Sequence, residues 1–202
     1  MIRRAVVFFF LLVGAVQAQN AALPAYYDVT GVASNDALNV RAAPEADAQI
    51  LGTLAFDATN VAVVTLSGDR RWAMVGAGEG SGWVALRYLA RQDGQEDALP
   101  AGLICSGTEP FWALMIDDTR AEFSMPDAPP IELRVGQSLS AMGYSGRYGL
   151  LLEGQDLGAT AIIRREMCSD GMSDRTYGFG VDLMVGSSAS NALYAGCCRL
   201  ER

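Results

Sequence analysis

Short segments in which apolar and polar residues alternate make up most of the chain, and Gly, Asp, Asn and Pro separate them. Alternation of this kind is typical of antiparallel strands that bury one face, because successive side chains of a strand point to opposite faces. No segment of the first half has sustained helical periodicity. The first half therefore predicts a small antiparallel β-barrel. Its predicted strands are 26–32, 37–44, 50–56, 60–66, 71–77 and 82–89.

The second half shows the same alternation from residue 103 onward, and it predicts a second antiparallel β-barrel or curled sheet in 103–202. The acidic, Gly- and Pro-containing stretch 91–102 is predicted to be a linker between the two domains. Asp117 and Asp118 indicate a hairpin turn. The predicted strands of this half are 103–107, 110–116, 121–125, 131–135, 139–146, 148–154, 159–169, 177–186 and 192–200.

The first 18 residues have the features of a secretory signal peptide. Arg3 and Arg4 precede an apolar run that is too short to span a bilayer comfortably, and Val16 and Ala18 are small residues suited to cleavage after Ala18. No later segment is apolar enough to predict a transmembrane span. We therefore expect a periplasmic or secreted protein.

The composition excludes several classes of chemistry. The chain has no histidine, and all 15 of its basic residues are arginine. Ser-His-Asp and Cys-His hydrolases, histidine-containing zinc sites and Schiff-base chemistry are thereby excluded. Without the two signal-peptide arginines, 13 arginines face 23 acidic residues, a net charge of −10 that disfavours nucleic acid and anionic lipid as partners. No cofactor or metal is predicted.

The first half resembles the bacterial SH3 domain (SH3b, type 3) over residues 26–90. The resemblance is carried, in order and spacing, by "LNVRAAP", "ILGTLAFDATNVAVV", "RWAMV" and "GSGWVALRYL". The lysine-rich surface usual in that family is missing. The resemblance implies an SH3-like barrel that binds peptides, often of the bacterial cell wall, and is rarely catalytic. The candidate ligand-binding residues are five aromatic residues, Tyr26, Tyr27, Trp72, Trp83 and Tyr88. Of these, Trp83 is expected mainly in the core, whereas Trp72 and Tyr88 are expected to be more exposed.

Four cysteines in an exported chain predict disulfides. Cys197 and Cys198 are neighbours on a predicted strand and should therefore project to opposite faces, which disfavours a bond between them. Each is left to pair with either Cys105 or Cys168. Of the two remaining connectivities, Cys105–Cys198 with Cys168–Cys197 is favoured.

The second half also contains two polar clusters, "CSGTEPFW" (105–112) and "CSDGMSDRTYGFG" (168–180), which these disulfides would bring together at one end of the barrel. With the "GCC" ending, they resemble an uncharacterised family of exported bacterial proteins, and the resemblance implies no activity. The clusters predict either an ion pair between Glu109 and Arg175 with a turn ordered by Asp170 and Ser173, or a binding mouth for a sugar or peptide. The candidate residues are Glu109, Trp112, Asp170, Ser173, Asp174, Arg175 and Tyr177.

Three functions fit these features. The first is a non-enzymatic envelope protein whose SH3-like domain binds a peptide or peptidoglycan. The second is an inhibitor of a cationic lytic enzyme such as lysozyme; "YSGRYG" (144–149) is faintly similar to a loop of one lysozyme-inhibitor family, although its position and context differ. The third is a carboxylate-based hydrolase, which the expected proximity of Arg175 to Asp170 and Asp174 disfavours, because a nearby cation lowers a carboxyl pKa.

Overall fold

A computed structural model describes residues 22–95, 98–100, 102–187 and 190–201, and the predicted signal peptide lies outside these ranges. The described chain consists of fifteen β-strands and one short 3₁₀ turn, Leu86–Tyr88, which confirms the all-β prediction. None of the helical structure in these ranges is long or apolar enough to cross a membrane.

The first seven strands form one antiparallel sheet in the order β3-β2-β6-β5-β4-β1-β7, with β3 and β7 at its edges. The alternation predicted from the sequence is present: Leu38 and Val40 are buried, whereas Asn39 and Arg41 of the same strand point outward. Ten buried residues, mainly Val and Ala, form the core of this sheet. The strands are β1 Ala25–Val29, β2 Ala37–Arg41, β3 Ile50–Ala55, β4 Val61–Leu66, β5 Trp72–Ala77, β6 Gly80–Ala85 and β7 Leu89–Arg91.

The remaining eight strands close into a barrel in which each strand pairs with its sequence neighbour and β15 pairs with β8. Side chains fill its interior, where Phe179, Leu114 and Leu183 are fully buried. The strands are β8 Leu103–Thr108, β9 Phe111–Ile116, β10 Arg120–Ser124, β11 Ile131–Ser140, β12 Arg147–Glu153, β13 Gly158–Cys168, β14 Tyr177–Gly186 and β15 Asn191–Leu200.

Two disulfides tie the last strand to its barrel, and they have the favoured connectivity. Cys198 of β15 lies directly opposite Cys105 of β8, and their bond is part of the barrel core. Cys197 points to the outer face and is bonded to Cys168 at the end of β13. The prediction that the neighbouring cysteines face opposite sides of the strand is confirmed, and its cause is the two-residue period of strand side chains.

Strand β11 corrects one sequence prediction. The sequence indicated separate strands at 131–135 and 139–146, whereas the structure has one strand, Ile131–Ser140, and a turn over 141–146. The pairing register with β12 shifts between Val135 and Gln137, so Gly136 is an extra residue in a β-bulge. A bulge interrupts the alternation without ending the strand, and the sequence pattern alone does not distinguish a bulged strand from two separate strands.

The sheet and the barrel contact each other through hydrogen bonds that no sequence pattern indicated. The guanidinium of Arg165 donates to the backbone oxygens of Pro24 (2.7 Å) and Ala98 (2.9 Å) and, on the barrel side, to the Tyr148 hydroxyl (2.9 Å). A second connection comes from the backbone N–H of Thr176, which donates to the Ser81 hydroxyl (2.9 Å). These bonds fix the position of the first sheet on the barrel.

Candidate functional site

The loop between β4 and β5 places Trp72 on the outer face of the sheet. The carboxylate of Asp69 accepts hydrogen bonds from the Ser67 hydroxyl (2.6 Å) and from the backbone N–H of Arg71 (3.1 Å). These bonds from Ser67 and Arg71 hold the pKa of Asp69 well below its usual range. The backbone N–H of Trp72 in turn donates to the Ser67 hydroxyl (3.1 Å). Ala73 is fully buried, so alternation directs the Trp72 indole outward, where it is half-buried.

The 3₁₀ turn after β6 brings Arg87 and Tyr88 to the same side of the sheet. The N–H of Leu86 donates to the backbone oxygen of Arg71 (2.9 Å), which fixes the turn beside Trp72. The guanidinium of Arg87 lies 4.8 Å from the centre of the Tyr88 ring, a cation–π contact that restricts a long and otherwise flexible side chain. Arg87 is exposed and Tyr88 is half-buried.

Two adjoining hollows meet at Trp72, and together we call them the Trp72 groove. The first has a volume of about 280 Å³ and is lined by Asp36, Asn39, Arg41, Trp72, Arg87 and Tyr88, among others. The second, of about 800 Å³, is lined by Glu45, Asp47, Arg70, Arg71, Trp72 and Arg87, among others. Both hollows also share Ala85, the cross-strand partner of Trp72, whose small side chain leaves space beside the indole.

The structure brings together two of the five aromatic residues proposed from the sequence, Trp72 and Tyr88. Tyr27 is buried in the core of the first sheet, with 6% of its surface exposed. Tyr26 packs against the barrel core, and its hydroxyl donates to the backbone oxygen of Glu201. Trp83 is half-buried on the outer face of β6, opposite the buried Val84, so the expectation that it belongs mainly to the core is wrong.

Sequence reasoning missed the two arginines of the first hollow, Arg41 and Arg87. A signal for each was present, because Arg41 alternates with the core residue Val40 and Arg87 precedes a candidate aromatic. Arg41 is held in place by a hydrogen bond from its Nη1 to the backbone oxygen of Ala48 (2.8 Å).

In the barrel, Asp170 is the centre of a compact hydrogen-bonded turn between β13 and β14. Its carboxylate accepts bonds from the backbone N–H groups of Met172 (3.0 Å) and Ser173 (2.9 Å), from the Ser173 hydroxyl (2.8 Å) and from the Tyr177 hydroxyl (3.0 Å). The Thr108 hydroxyl donates to the backbone oxygen of Asp170 (3.2 Å), which connects the two predicted polar clusters. The Asp170 carboxylate is therefore occupied by groups of its own loop.

These donors lower the pKa of Asp170 to about 2, with the backbone N–H groups of Ser173 and Met172 as the main causes. From the sequence we expected the nearby Arg175 to lower the pKa of Asp170. The pKa is lowered, but Arg175 is not the cause. Burial raises the pKa of the Tyr177 hydroxyl. A carboxylate with so low a pKa is ionised at neutral pH and is a poor general acid.

The other members of the proposed mouth lie in three different places. Trp112 is inside the barrel, with 3% of its surface exposed, and Glu109 is exposed on the β8–β9 turn. Arg175 is directed toward the first sheet, where its Nη2 donates to the backbone oxygen of Gly78 (2.8 Å) and its Nε is buried without a hydrogen-bond partner. Asp174 lies beside Gly80 at the same contact. Residues 174–175 therefore help to join the sheet to the barrel.

No group of three or more Cys, Asp and Glu side chains within the described ranges is arranged to hold a metal ion. Comparison of the chain with models of known families, with curated proteins and with solved structures finds no match. The function has therefore to be inferred from the surface of the protein itself, and the Trp72 groove is a place where aromatic and charged side chains converge on open space.

Proposed function

We propose that this protein is a non-enzymatic component of the cell envelope that binds a peptide or peptidoglycan in the Trp72 groove. The observation that carries the proposal is the junction of two hollows at an outward-facing Trp72, with Tyr88 and arginines along the walls. Aromatic surfaces with a few fixed polar groups are typical of ligand sites. The resemblance of residues 26–90 to bacterial SH3 domains supports the same class of ligand.

The two disulfides indicate a chain that folds in an oxidising compartment. A periplasmic or secreted location, reached through the signal peptide predicted at 1–18, belongs to this proposal. It would place the Trp72 groove in the compartment that contains the cell wall.

The state of Asp170 argues against the carboxylate-based hydrolase. Cleavage of a glycosidic bond by two carboxylates needs one that stays protonated near neutral pH, which requires a raised pKa. The lowered pKa of Asp170 rules it out as that acid, and its carboxylate oxygens already accept four hydrogen bonds from its own loop, which leaves them unsuited to act as nucleophile or base. A binding function agrees better with this arrangement.

Co-sedimentation with purified peptidoglycan tests the proposal. The protein without residues 1–18 should sediment with the wall, and Trp72→Ala and Tyr88→Ala should each reduce the bound fraction. Phe111→Ala is the matched control, because Phe111 is an exposed aromatic of the barrel, 54% accessible, far along the chain from the groove. Absence of wall binding, or equal binding by all four proteins, would refute the proposal.

A second function, inhibition of a cationic lytic enzyme, is favoured by the β11–β12 hairpin. Every residue from 136 to 145 is exposed, and the tip carries Met142 and Tyr144, which are 96% and 69% accessible. An apolar tip on an acidic protein is suited to a concave, basic partner. Lysozyme activity measured with and without the protein tests this function: inhibition that Tyr144→Ala abolishes would support it, and full activity at every protein concentration would exclude it.

A further inference from the structure

The first region of the protein, residues 22–95 with the first sheet, has most of its arginines at the Trp72 groove. The described part of this region contains five arginines, at positions 41, 70, 71, 87 and 91, and the first four line the groove. The chain as a whole is acidic, with 23 acidic and 15 basic residues. Arg71 is paired with Asp69 in the loop before β5, whereas Arg41 and Arg87 are held in position within the first hollow.

Arg87 and Arg41 are restrained by different contacts. The Arg87 guanidinium lies over the Tyr88 ring at 4.8 Å, and the Nη1 of Arg41 is bound to the backbone oxygen of Ala48. In the parts of the chain that the structure describes, neither side chain has a carboxylate within ion-pair distance. A planar guanidinium that is held in place but not neutralised is suited to a carboxylate, which it can bind through two parallel hydrogen bonds.

The acidic residues of the groove restrict the kind of anion that can bind. Asp36 lies in the first hollow, where its carboxylate accepts a bond from the Ala37 N–H (2.8 Å), and Glu45 and Asp47 line the second hollow. A densely charged anion such as a phosphate polymer would meet these carboxylates at close range and be repelled. A peptide differs, because its carboxylates are single charges separated by N–H groups that can donate to Asp36, Glu45 or Asp47.

We therefore propose that the Trp72 groove recognises the free carboxylates of wall peptides, with Arg87 as the specificity-determining residue. This inference rests on the proposed wall binding and specifies which part of the wall is recognised. Arg87 lines both hollows, so one carboxylate bound there would place the flanking peptide over Trp72 and into either hollow.

The test measures binding of three probes to the protein without residues 1–18, using the change in tryptophan fluorescence. The probes are a synthetic wall-stem peptide with free carboxylates, the same peptide with all carboxylates converted to carboxamides, and an N-acetylglucosamine tetramer. The carboxamide peptide should bind about ten-fold more weakly or worse, since a hydrogen bond to a charged group is lost. Binding of the free peptide should weaken as salt is raised.

Arg87→Gln should weaken the free peptide by about ten-fold and leave the carboxamide peptide unchanged, so that the protein no longer distinguishes them. Arg87→Lys keeps the charge but not the planar fork and should give an intermediate affinity. Arg120→Gln is the matched control, because it removes one exposed positive charge from the barrel and should alter neither affinity.

The outcomes separate the inference from the proposed function. Equal affinity for the free and carboxamide peptides, or binding of the glycan tetramer alone, would overturn the inference while intact peptidoglycan still bound. Absence of binding to intact peptidoglycan would overturn the proposed function itself. Discrimination that survives Arg87→Gln would show that another residue reads the carboxylate and would refute the role given to Arg87.

Discussion

The first sheet and the barrel are both built from short alternating strands, but only the barrel is cross-linked, and only the barrel closes on itself. The sheet has β3 and β7 at its edges and a core of ten side chains that are mostly Val and Ala, with Tyr27 as its one aromatic, whereas the barrel core contains Phe179, Trp112 and a disulfide. Both regions carry polar clusters on their surfaces. They differ in what these polar groups bind.

In the barrel the clustered polar groups bind other groups of the protein. Asp170 accepts four hydrogen bonds from its own loop, and Arg165 and Arg175 bind backbone oxygens of the first region. In the sheet, Trp72 and Arg87 face open space, and the contact of Arg87 with Tyr88 leaves its N–H donors available to a ligand. Groups whose bonds are made inside the protein stabilise it, and groups left exposed beside a hollow are the ones that can bind a partner.

The largest effect should come from the disulfides. The Cys105→Ala/Cys198→Ala double variant opens a cross-link between residues 93 positions apart and should lower the free energy of unfolding of the barrel by about 4.5 kcal/mol in the chain-entropy model. The Cys168→Ala/Cys197→Ala variant, with a separation of 29, should cost about 3.5 kcal/mol.

Amide hydrogen exchange measured strand by strand in urea checks this prediction. Protection should fall in β8–β15 much more than in β1–β7, and it should fall further in the first variant than in the second. Equal losses in the two regions would mean that the disulfides stabilise the whole molecule and that the contrast between sheet and barrel is mistaken.

Removing the hydrogen bonds that join the sheet to the barrel should have the next largest effect on stability. Arg165→Met removes three hydrogen bonds, of which one reaches the backbone of Pro24 before β1 and one that of Ala98 in the 91–102 stretch, and should destabilise the protein by about 2 kcal/mol. In calorimetry a single unfolding transition should separate into two. Arg164→Met is the control: Arg164 pairs with Glu166 and Asp182 on the surface, so its loss should cost about 0–1 kcal/mol and leave the transition single.

These contacts mark the limit of what the sequence could predict. Alternation located the strands, and the two-residue period placed Cys197 and Cys198 on opposite faces, because both depend on neighbours along the chain. The bonds from Arg165 to Pro24 and Ala98 join positions far apart in sequence, and their acceptors are backbone oxygens, which every residue has. No pattern of side chains can indicate a partner of that kind.

The same limit explains the candidate sites. Trp72 and Tyr88 could be proposed because aromatic residues at outward positions are visible in the sequence. The predicted mouth of the barrel failed because Trp112 follows the strand alternation into the core and Arg175 faces the first sheet. The sequence showed which residues were polar, but their contacts were decided by how the two regions pack.

Replacing Asp170 should have a moderate effect on the free energy of unfolding. Asp170→Ala removes the acceptor of four hydrogen bonds, and because the turn is solvent-accessible the loss should be about 1 kcal/mol. The pKa of Asp170 is lowered from 3.8 to about 2 in the folded protein, so its stabilising contribution is complete above pH 4 and is lost as the pH falls through about 2.

Denaturant unfolding of the wild type and Asp170→Ala between pH 2 and 6 measures this contribution. The difference between the two proteins should be constant above pH 4 and should shrink toward pH 2. Asp156→Ala, a change of an exposed carboxylate on the β12–β13 turn, is the matched control for the loss of one carboxylate. A difference that grows as the pH falls would contradict the assignment of the lowered pKa.

The smallest effect on stability should come from the groove, where the effect on binding is greatest. Trp72 lies outside the core cluster, so Trp72→Ala should change the free energy of unfolding by less than about 1 kcal/mol while wall binding is lost. Val75→Ala, in the core of the same sheet and outside both hollows, should cost about 2 kcal/mol and, at temperatures where the variant remains folded, should leave binding intact. Thermal unfolding and co-sedimentation measured on both variants would show the two properties responding to different residues. If Trp72→Ala proved as destabilising as Val75→Ala, then Trp72 would be a core residue of the first sheet, and its position beside two hollows would have no bearing on ligand binding.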